Sequence, residues 1–269
     1  MEYITLNSGY KMPIIGTGTN TYGKEDNDYN GKILDDIPEL KNAIELGYRS
    51  IDAAISYRNE ALVGKVIAES NVPREEFFIT TKIPNKDEYV SSKELIRNTL
   101  DESLKNFHTD YIDLYLIHHP IENKEYFKQT WEVLEEYQEN GKIRSIGVSN
   151  FDENLLDEME KFASVKPAVN QIQVNLKEAN TALLKRLEDD NITPVAWGPM
   201  KATDEQQEAL KGIGEKHNKT WGQVLLKYQI QRGVVVIPKS HNKENQKANF
   251  ELFDFELTSE EIRQIEELV

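Results

Sequence analysis

The sequence predicts an α/β fold: a parallel (β/α)8 TIM barrel with an N-terminal β-hairpin closing the bottom. Eight short apolar runs, each ending in polar residues at the mouth of a loop, alternate with helical patterns along the chain, and strand then helix, repeated, argues for a parallel sheet. The open doubly wound alternative carries a Gly-x-Gly-x-x-Gly fingerprint after a strand, and none is present. Gly16-Thr17-Gly18 has Thr21 where the third glycine would stand, and Gly212-Ile213-Gly214 lies inside a helical pattern. A length of 269 residues suits one domain spanning residues 1–269, since such barrels commonly reach about 250 residues as a single unit.

The elements follow in order. YITL and KMPII flank the turn signal Asn7-Ser8-Gly9, which predicts a structural hairpin at the barrel floor. The barrel strands are expected in MPIIGTGT, YRSIDAA, FFITTK, YIDLYLIH, IRSIGVS, AVNQIQVN, ITPVAW and VVVIPKS. Helices are expected in DIPELKNAIELG, SSKELIRNTLDESLKNF, YFKQTWEVLEEYQENGK and TALLKRLEDDN, where apolar residues recur three and four apart and glycine or asparagine stands near several ends. The polar insert GKEDNDYNGK after the first strand reads as a loop at the active face.

Composition narrows the function classes. Lys and Arg total 32 against 47 Asp and Glu, a formal charge of −15, which speaks against nucleic acid or an anionic membrane as partner. With no cysteine, disulfides, thiolate metal sites and cysteine nucleophiles drop out, so redox chemistry would need a bound cofactor. Five histidines without His-Glu-x-x-His make a metal site an unsuitable reading, and none is expected. The N-terminus lacks the basic start and apolar core of a secretory signal. A soluble cytoplasmic protein is the expectation, acting as a monomer on a small molecule.

Chemistry in a parallel α/β sheet sits at the C-terminal ends of its strands, and four residues fall there: Asp52, Tyr57, Lys82 and His118. Lys82 ends an otherwise apolar strand, and a lysine aimed into a barrel needs an anion. Asp52 is the candidate. The ammonium would then stand beside the Tyr57 hydroxyl, favouring the phenolate and lowering the tyrosine pKa from its ordinary value near 10, with the three groups titrating together. Tyr57 is read as general acid and His118 as the group orienting a carbonyl oxygen. His118 and His119 are adjacent on a strand, so their side chains point to opposite faces or separate at its end, and only one is expected to face the substrate.

The segments GYRSIDAAISYRNE, TTKIP, DLYLIHHP, GKIRSIGVSNF and VVVIPKS together resemble the aldo-keto reductases, in order and spacing over nearly the whole chain, with particular similarity to the prokaryotic glyoxal and 2,5-diketo-D-gluconate reductases. The resemblance implies a nicotinamide cofactor, NADPH (NADP+) ahead of a possible NADH, and reduction of aldehydes or ketones. It assigns the carbonyl-steering histidine to His118 and leaves His119 where many members carry tryptophan. Implied cofactor contacts are Gly18, Thr19, Asn20 and Asp52; Ser149, Asn150 and Gln171 on the nicotinamide carboxamide; and Trp197 stacked on its ring in place of the usual tyrosine. Gly198, Pro199 and Met200 would follow the pyrophosphate, and Lys239, Ser240, Asn242, Asn245 and Asn249 would serve the phosphate end, beside a helix N-terminus suited to phosphate. Implied substrate contacts are Asn20, Tyr57, His118 and His119.

Two departures shape the expectation. Asn245 stands where the family usually has an arginine, and an amide cannot replace a charge that clamps a 2′-phosphate; NADPH preference then rests on Lys239 with help from Ser240 and Asn242. Asn20 replaces a common tryptophan, and the sequence ends at Val269, where family members often continue with a pocket-walling tail. An open, polar site for small aldehydes, dicarbonyls and keto-sugars is expected. Two rivals remain at this level: a dinucleotide-binding regulatory or redox-sensing barrel with little turnover, and a phosphosugar isomerase or lyase using Lys82 as base or Schiff-base former.

Overall fold

The computed structural model describes residues 1–269. β1 (Tyr3–Thr5) and β2 (Lys11–Pro13) pair antiparallel, with Tyr3 opposite Pro13 and Thr5 opposite Lys11. Gly9, at φ +87°, makes the turn, a left-handed conformation that favours glycine. Leu6 and Met12 of this hairpin pack with Phe78, Leu114, Leu116, Val169, Val195 and Val235, so the hairpin plugs the barrel with apolar side chains. Asn7 Nδ2 donates to the carbonyls of Pro167 (2.9 Å) and Asn191 (3.0 Å), fastening the plug to the strand N-termini.

The barrel runs β3 (Gly16–Gly18), α1 (Pro38–Leu46), β4 (Ser50–Asp52), α2 (Glu60–Glu69), β5 (Phe78–Ile83), α3 (Asp87–Val90), α4 (Lys93–Asn106), β6 (Ile112–Ile117), α5 (Lys124–Glu139), β7 (Ile143–Ser149), α6 (Glu153–Met159), β8 (Val169–Gln173), α7 (Thr181–Asp189), β9 (Thr193–Trp197), α8 (Asp204–His217), α9 (Trp221–Gln231), β10 (Val235–Val236), α10 (Lys243–Phe250) and α11 (Ser259–Glu266). Strands β3 to β10 are parallel neighbours in chain order. A parallel bridge between Ile15 and Val236, with Val236 N–H donating to the Ile14 carbonyl at 3.1 Å, brings the first and last strands together. The expected run MPIIGTGT is shared out differently from the reading above: Met12 and Pro13 belong to the hairpin, and the barrel strand begins at Gly16.

Helix boundaries follow local chemistry. Ser92, Asn123 and Asp152 cap α4, α5 and α6 with their side chains, and Thr203, Thr220 and Thr258 form reciprocal capping boxes at α8, α9 and α11. Strand alternation divides the core into two layers. On β5, Phe78 faces the barrel interior while Ile79 and Ile83 meet the helices; on β6, Leu114 and Leu116 face inward while Tyr115 and Ile117 face outward. Lys82 shares the inward parity of Phe78, and this places an ammonium inside the barrel.

Candidate active site

Lys82 is fully buried and all three of its donors are used: on Asp52 Oδ1 (2.6 Å), the Ala53 carbonyl (2.8 Å) and the Tyr57 hydroxyl (3.3 Å). Asp52 is held in turn by Gln171, whose Nε2 donates to Oδ2 at 2.7 Å across the barrel. Tyr57 reaches the group because β4 stops at Asp52 and residues Ile55–Tyr57 form one tight turn, closed by Arg58 at φ +60°. The turn is anchored by Asn59, whose buried amide donates to the carbonyls of Thr19 (2.8 Å) and Tyr22 (3.1 Å). The tyrosine ring meets His118 edge to face at 5.7 Å between centroids. Asp52, Tyr57, Lys82 and His118, named separately from sequence, thus form one cluster.

The electrostatics correct one expectation. Burial raises the Tyr57 phenol well above its ordinary value, and the negative charge of Asp52 pushes the same way. Its hydroxyl is therefore held protonated in the free chain, where a lowered pKa was expected. Burial also pulls the Lys82 ammonium below its ordinary value, against the opposing pull of Asp52. His118 is pushed down to about 2 by burial, with Lys82 and His119 adding to the shift, so its imidazole is neutral at physiological pH. His118 Nδ1 is buried with no partner, leaving Nε2 as the ring atom able to meet a ligand.

A cleft of 510 Å³ opens over these residues. Its wall includes Gly18, Asn20, Asp52, Tyr57, His118, His119, Ser149, Asn150, Gln171, Trp197, Gly198, Pro199, Met200 and Lys239, all read from sequence, and Lys201, Ile237 and Pro238, which were not. Asp52 is the one carboxylate on that wall, and Lys82 has already paired with it. Lys239 donates to Thr21 Oγ1 (2.7 Å), and Lys201 sits 5.3 Å from the Trp197 ring centroid; neither meets a carboxylate. An elongated anion carrying a flat ring suits such a surface, and the residues fit a nicotinamide dinucleotide.

Other expected contacts are not on the wall of this cleft. Thr19 is completely buried and donates from N–H (3.1 Å) and Oγ1 (2.9 Å) to the Asp52 carbonyl, so it fixes the acid's backbone behind the cleft. Asn242 accepts from the amides of Glu244 (2.8 Å) and Asn245 (3.1 Å), capping α10 with its own side chain. Ser240 Oγ pairs with Asn242, Asn245 is exposed and Asn249 is buried, and none of these four lines the cleft. The single-facing expectation for the two histidines also fails. β6 ends at Ile117, pleat alternation stops there, and His118 and His119 stack at 4.5 Å and 14° with both on the cleft wall.

The insert after β3 does lie at the active face. Tyr29 within it packs edge-on against Tyr57 at 6.1 Å and donates to the Ser56 carbonyl at 3.2 Å. Arg58 holds the insert by donating to the carbonyls of Tyr29 and Gly31 (3.0 Å each), and the buried Lys24 donates to the same Tyr29 carbonyl at 2.6 Å. Burial, with Arg58 and Lys239 nearby, lowers the Lys24 ammonium to about 8. A basic residue inside a polar, acidic insert gives no sequence signal that it will be buried.

A barrel that closes a phenol, an imidazole and a buried ammonium around the floor of a 510 Å³ cleft has the parts that a cofactor-dependent oxidoreductase requires. Comparison with known proteins narrows the class. The model of the Aldo/keto reductase family matches residues 14–269, and the chain belongs to that family. It is 40% identical over 268 residues to a glyoxal reductase of Bacillus subtilis, covering 99% of this chain and 92% of that protein. It is 39% identical to a 9,11-endoperoxide prostaglandin H2 reductase of Trypanosoma cruzi, covering 98% of this chain and 90% of the relative. Among solved structures, a Bombyx mori aldo-keto reductase in complex with NADP superposes with a TM-score of 0.87 at 34% identity, over 99% of this chain and 92% of that one. The chain is an aldo-keto reductase, an oxidoreductase of a family that reduces carbonyl groups with a nicotinamide cofactor.

Proposed function

We propose that residues 1–269 act as one catalytic domain that reduces small aldehydes and ketones, dicarbonyls and keto-sugars among them, to alcohols, with Tyr57 as proton donor. The observation that carries this reading is the Lys82 ammonium, which touches Asp52 at 2.6 Å and the Tyr57 hydroxyl at 3.3 Å. Tyr57 holds its proton at neutral pH because burial and Asp52 disfavour the phenolate. As the proton leaves for the substrate oxygen, the charge developing on the phenol falls next to the ammonium, where it is stabilised most at the moment of transfer. Asp52, braced by Gln171, keeps that ammonium in place. The neutral His118 ring offers Nε2 to the same oxygen and orients it without adding a second positive charge.

A bound reduced nicotinamide would supply the hydride. Ser149, Asn150, Gln171 and Trp197 would hold its ring end, Gly18, Gly198, Pro199 and Met200 its middle, and Lys239 its phosphate end. Preference for NADPH over NADH rests on Lys239, since Asn245 brings no charge. The Bacillus subtilis relative is a glyoxal reductase, which supports a small dicarbonyl as substrate, as does a cleft with few aromatic walls. No helix is long and apolar enough to cross a membrane, and we place the protein in the cytoplasm as a monomer. The test follows the reduced-cofactor absorbance band as protein, NADPH and a panel of small carbonyls are mixed. Turnover is expected on aldehydes and dicarbonyls and slower with NADH; silence across the panel would refute the reading.

A further inference from the structure

Arg58 occupies a backbone conformation that its side chain does not favour. It follows Tyr57 directly and sits at φ +60°, a left-handed position where glycine would be free of strain. What the arginine brings there is its guanidinium. Nη2 donates to two carbonyls of the insert after β3, those of Tyr29 and Gly31, at 3.0 Å each. The insert answers from the other flank of the tyrosine, where the Tyr29 hydroxyl donates to the Ser56 carbonyl at 3.2 Å. Ser56 and Arg58 are thus both tied to the insert, and the Tyr29 ring stands edge-on to Tyr57 between them at 6.1 Å. The insert has a frame of its own. Glu25 N–H donates to the Lys32 carbonyl (2.9 Å) and Leu34 N–H to the Gly23 carbonyl (2.8 Å), around an antiparallel bridge between Lys24 and Ile33. The buried Lys24 ammonium lies 4.5 Å from the Tyr29 ring centroid and gives the Tyr29 carbonyl its second hydrogen bond.

We propose that Arg58 and Tyr29 are positioning residues for the proton donor: they clasp the insert onto the Ile55–Tyr57 turn and so hold the Tyr57 hydroxyl against Lys82. The inference rests on the carbonyl-reductase reading above, in which Tyr57 gives up the proton, and adds what keeps that group in place. Within the turn the backbone contributes two hydrogen bonds, from Tyr57 N–H to the Ala54 carbonyl (3.0 Å) and from Arg58 N–H to the Ile55 carbonyl (2.9 Å). Of the three contacts that Lys82 makes, the one to the Tyr57 hydroxyl is the longest, at 3.3 Å. A small drift of the ring would break it. Neither Arg58 nor Tyr29 lines the cleft, so each acts through Tyr57 and not on the substrate. The strained backbone at Arg58 is explained by this role, because glycine would fit the turn and leave the insert unheld on that flank.

The test measures NADPH binding by fluorescence titration, single-turnover reduction of methylglyoxal and melting temperature in the parent, Arg58→Gly, Tyr29→Leu, Tyr29→Phe and Tyr57→Phe. Arg58→Gly suits the left-handed backbone and removes the guanidinium. It is expected to melt close to the parent and to bind NADPH as the parent does, while the turnover rate falls roughly ten- to hundredfold, the effect of displacing a reacting group by about 1 Å. Tyr29→Leu is expected to lose a similar factor, and Tyr29→Phe, which keeps the ring, to recover most of it. Three outcomes would overturn the clasp while leaving carbonyl reduction standing: Arg58→Gly at the parent's rate, a loss of rate matched by an equal loss of NADPH affinity, or a phenylalanine variant as slow as leucine. Tyr57→Phe turning over at the parent's rate would overturn the proton-donor reading and the clasp with it.

Discussion

Thr81 and Lys82 are neighbours on β5, and each serves a buried carboxylate on opposite sides of the same strand. Outward, Glu60 sits between the barrel and its helices and accepts from Thr81 Oγ1 (2.5 Å), Ser103 Oγ (3.1 Å) and Asn106 Nδ2 (3.2 Å), with the Tyr115 hydroxyl 2.9 Å beyond Ser103. Inward, Asp52 meets an ammonium, an amide and, through the ammonium, a phenol at the floor of the cleft. Glu60 is satisfied entirely by neutral groups and has no opening; its pKa is raised, chiefly by burial. A buried acid alone is therefore no sign of chemistry here. What separates the two clusters is a cation in contact with a transferable proton and a cavity through which a substrate can reach it.

Breaking each cluster sharpens the contrast. Lys82→Met removes the cation and leaves Asp52 charged and buried, so it is expected to abolish turnover and to cost about 3–5 kcal/mol of stability, measured by assay and by urea unfolding of the same preparation. Glu60→Gln should leave turnover close to the parent's, because nothing in that cluster reaches the cleft; a large loss of activity would erase the distinction.

The pH dependence of stability has opposite signs in the two places. Glu60 has a folded pKa raised above 4.5, so its contribution is fully present below that pH and is lost as pH rises through the folded value. Glu60→Gln should flatten that decline in melting temperature. His118 is held neutral down to about 2 against an ordinary 6.5; its contribution is present above 6.5 and is lost as pH falls, because only the unfolded imidazole takes up a proton. His118→Asn should shrink the acid-side loss. The smallest effect concerns the cofactor's far end: Asn245→Arg is expected to lower the KM for NADPH by roughly tenfold with less change for NADH, the gain of one charge-assisted contact.

How much of this was readable in the sequence depends on the range of the interaction. The eight strands, the hairpin turned at Gly9 and the cluster of Asp52, Tyr57, Lys82 and His118 follow from local patterns and from which end of a strand a polar residue occupies. The hydrogen bonds that brace the cluster from outside it were not readable. Gln171 as the brace of Asp52, Asn59 as the anchor of the Tyr57 turn and Thr19 as a support behind the cleft each join residues distant in the chain. The stacking of His118 and His119 was hidden because it depends on β6 stopping one residue earlier, at Ile117. Lys201 was missed for a simpler reason: an exposed lysine at the mouth of a loop has no pattern, and only its place over Trp197 marks it.

Tyr57→Phe bears most directly on the central claim, because it removes one oxygen and leaves the ring against His118 and Tyr29. NADPH binding, followed by fluorescence titration, should stay near that of the parent, while a single turnover with methylglyoxal should slow by about 10²–10⁴-fold, the ordinary contribution of a positioned acid. A variant that binds NADPH and still reduces the aldehyde at a rate close to the parent's would contradict the account.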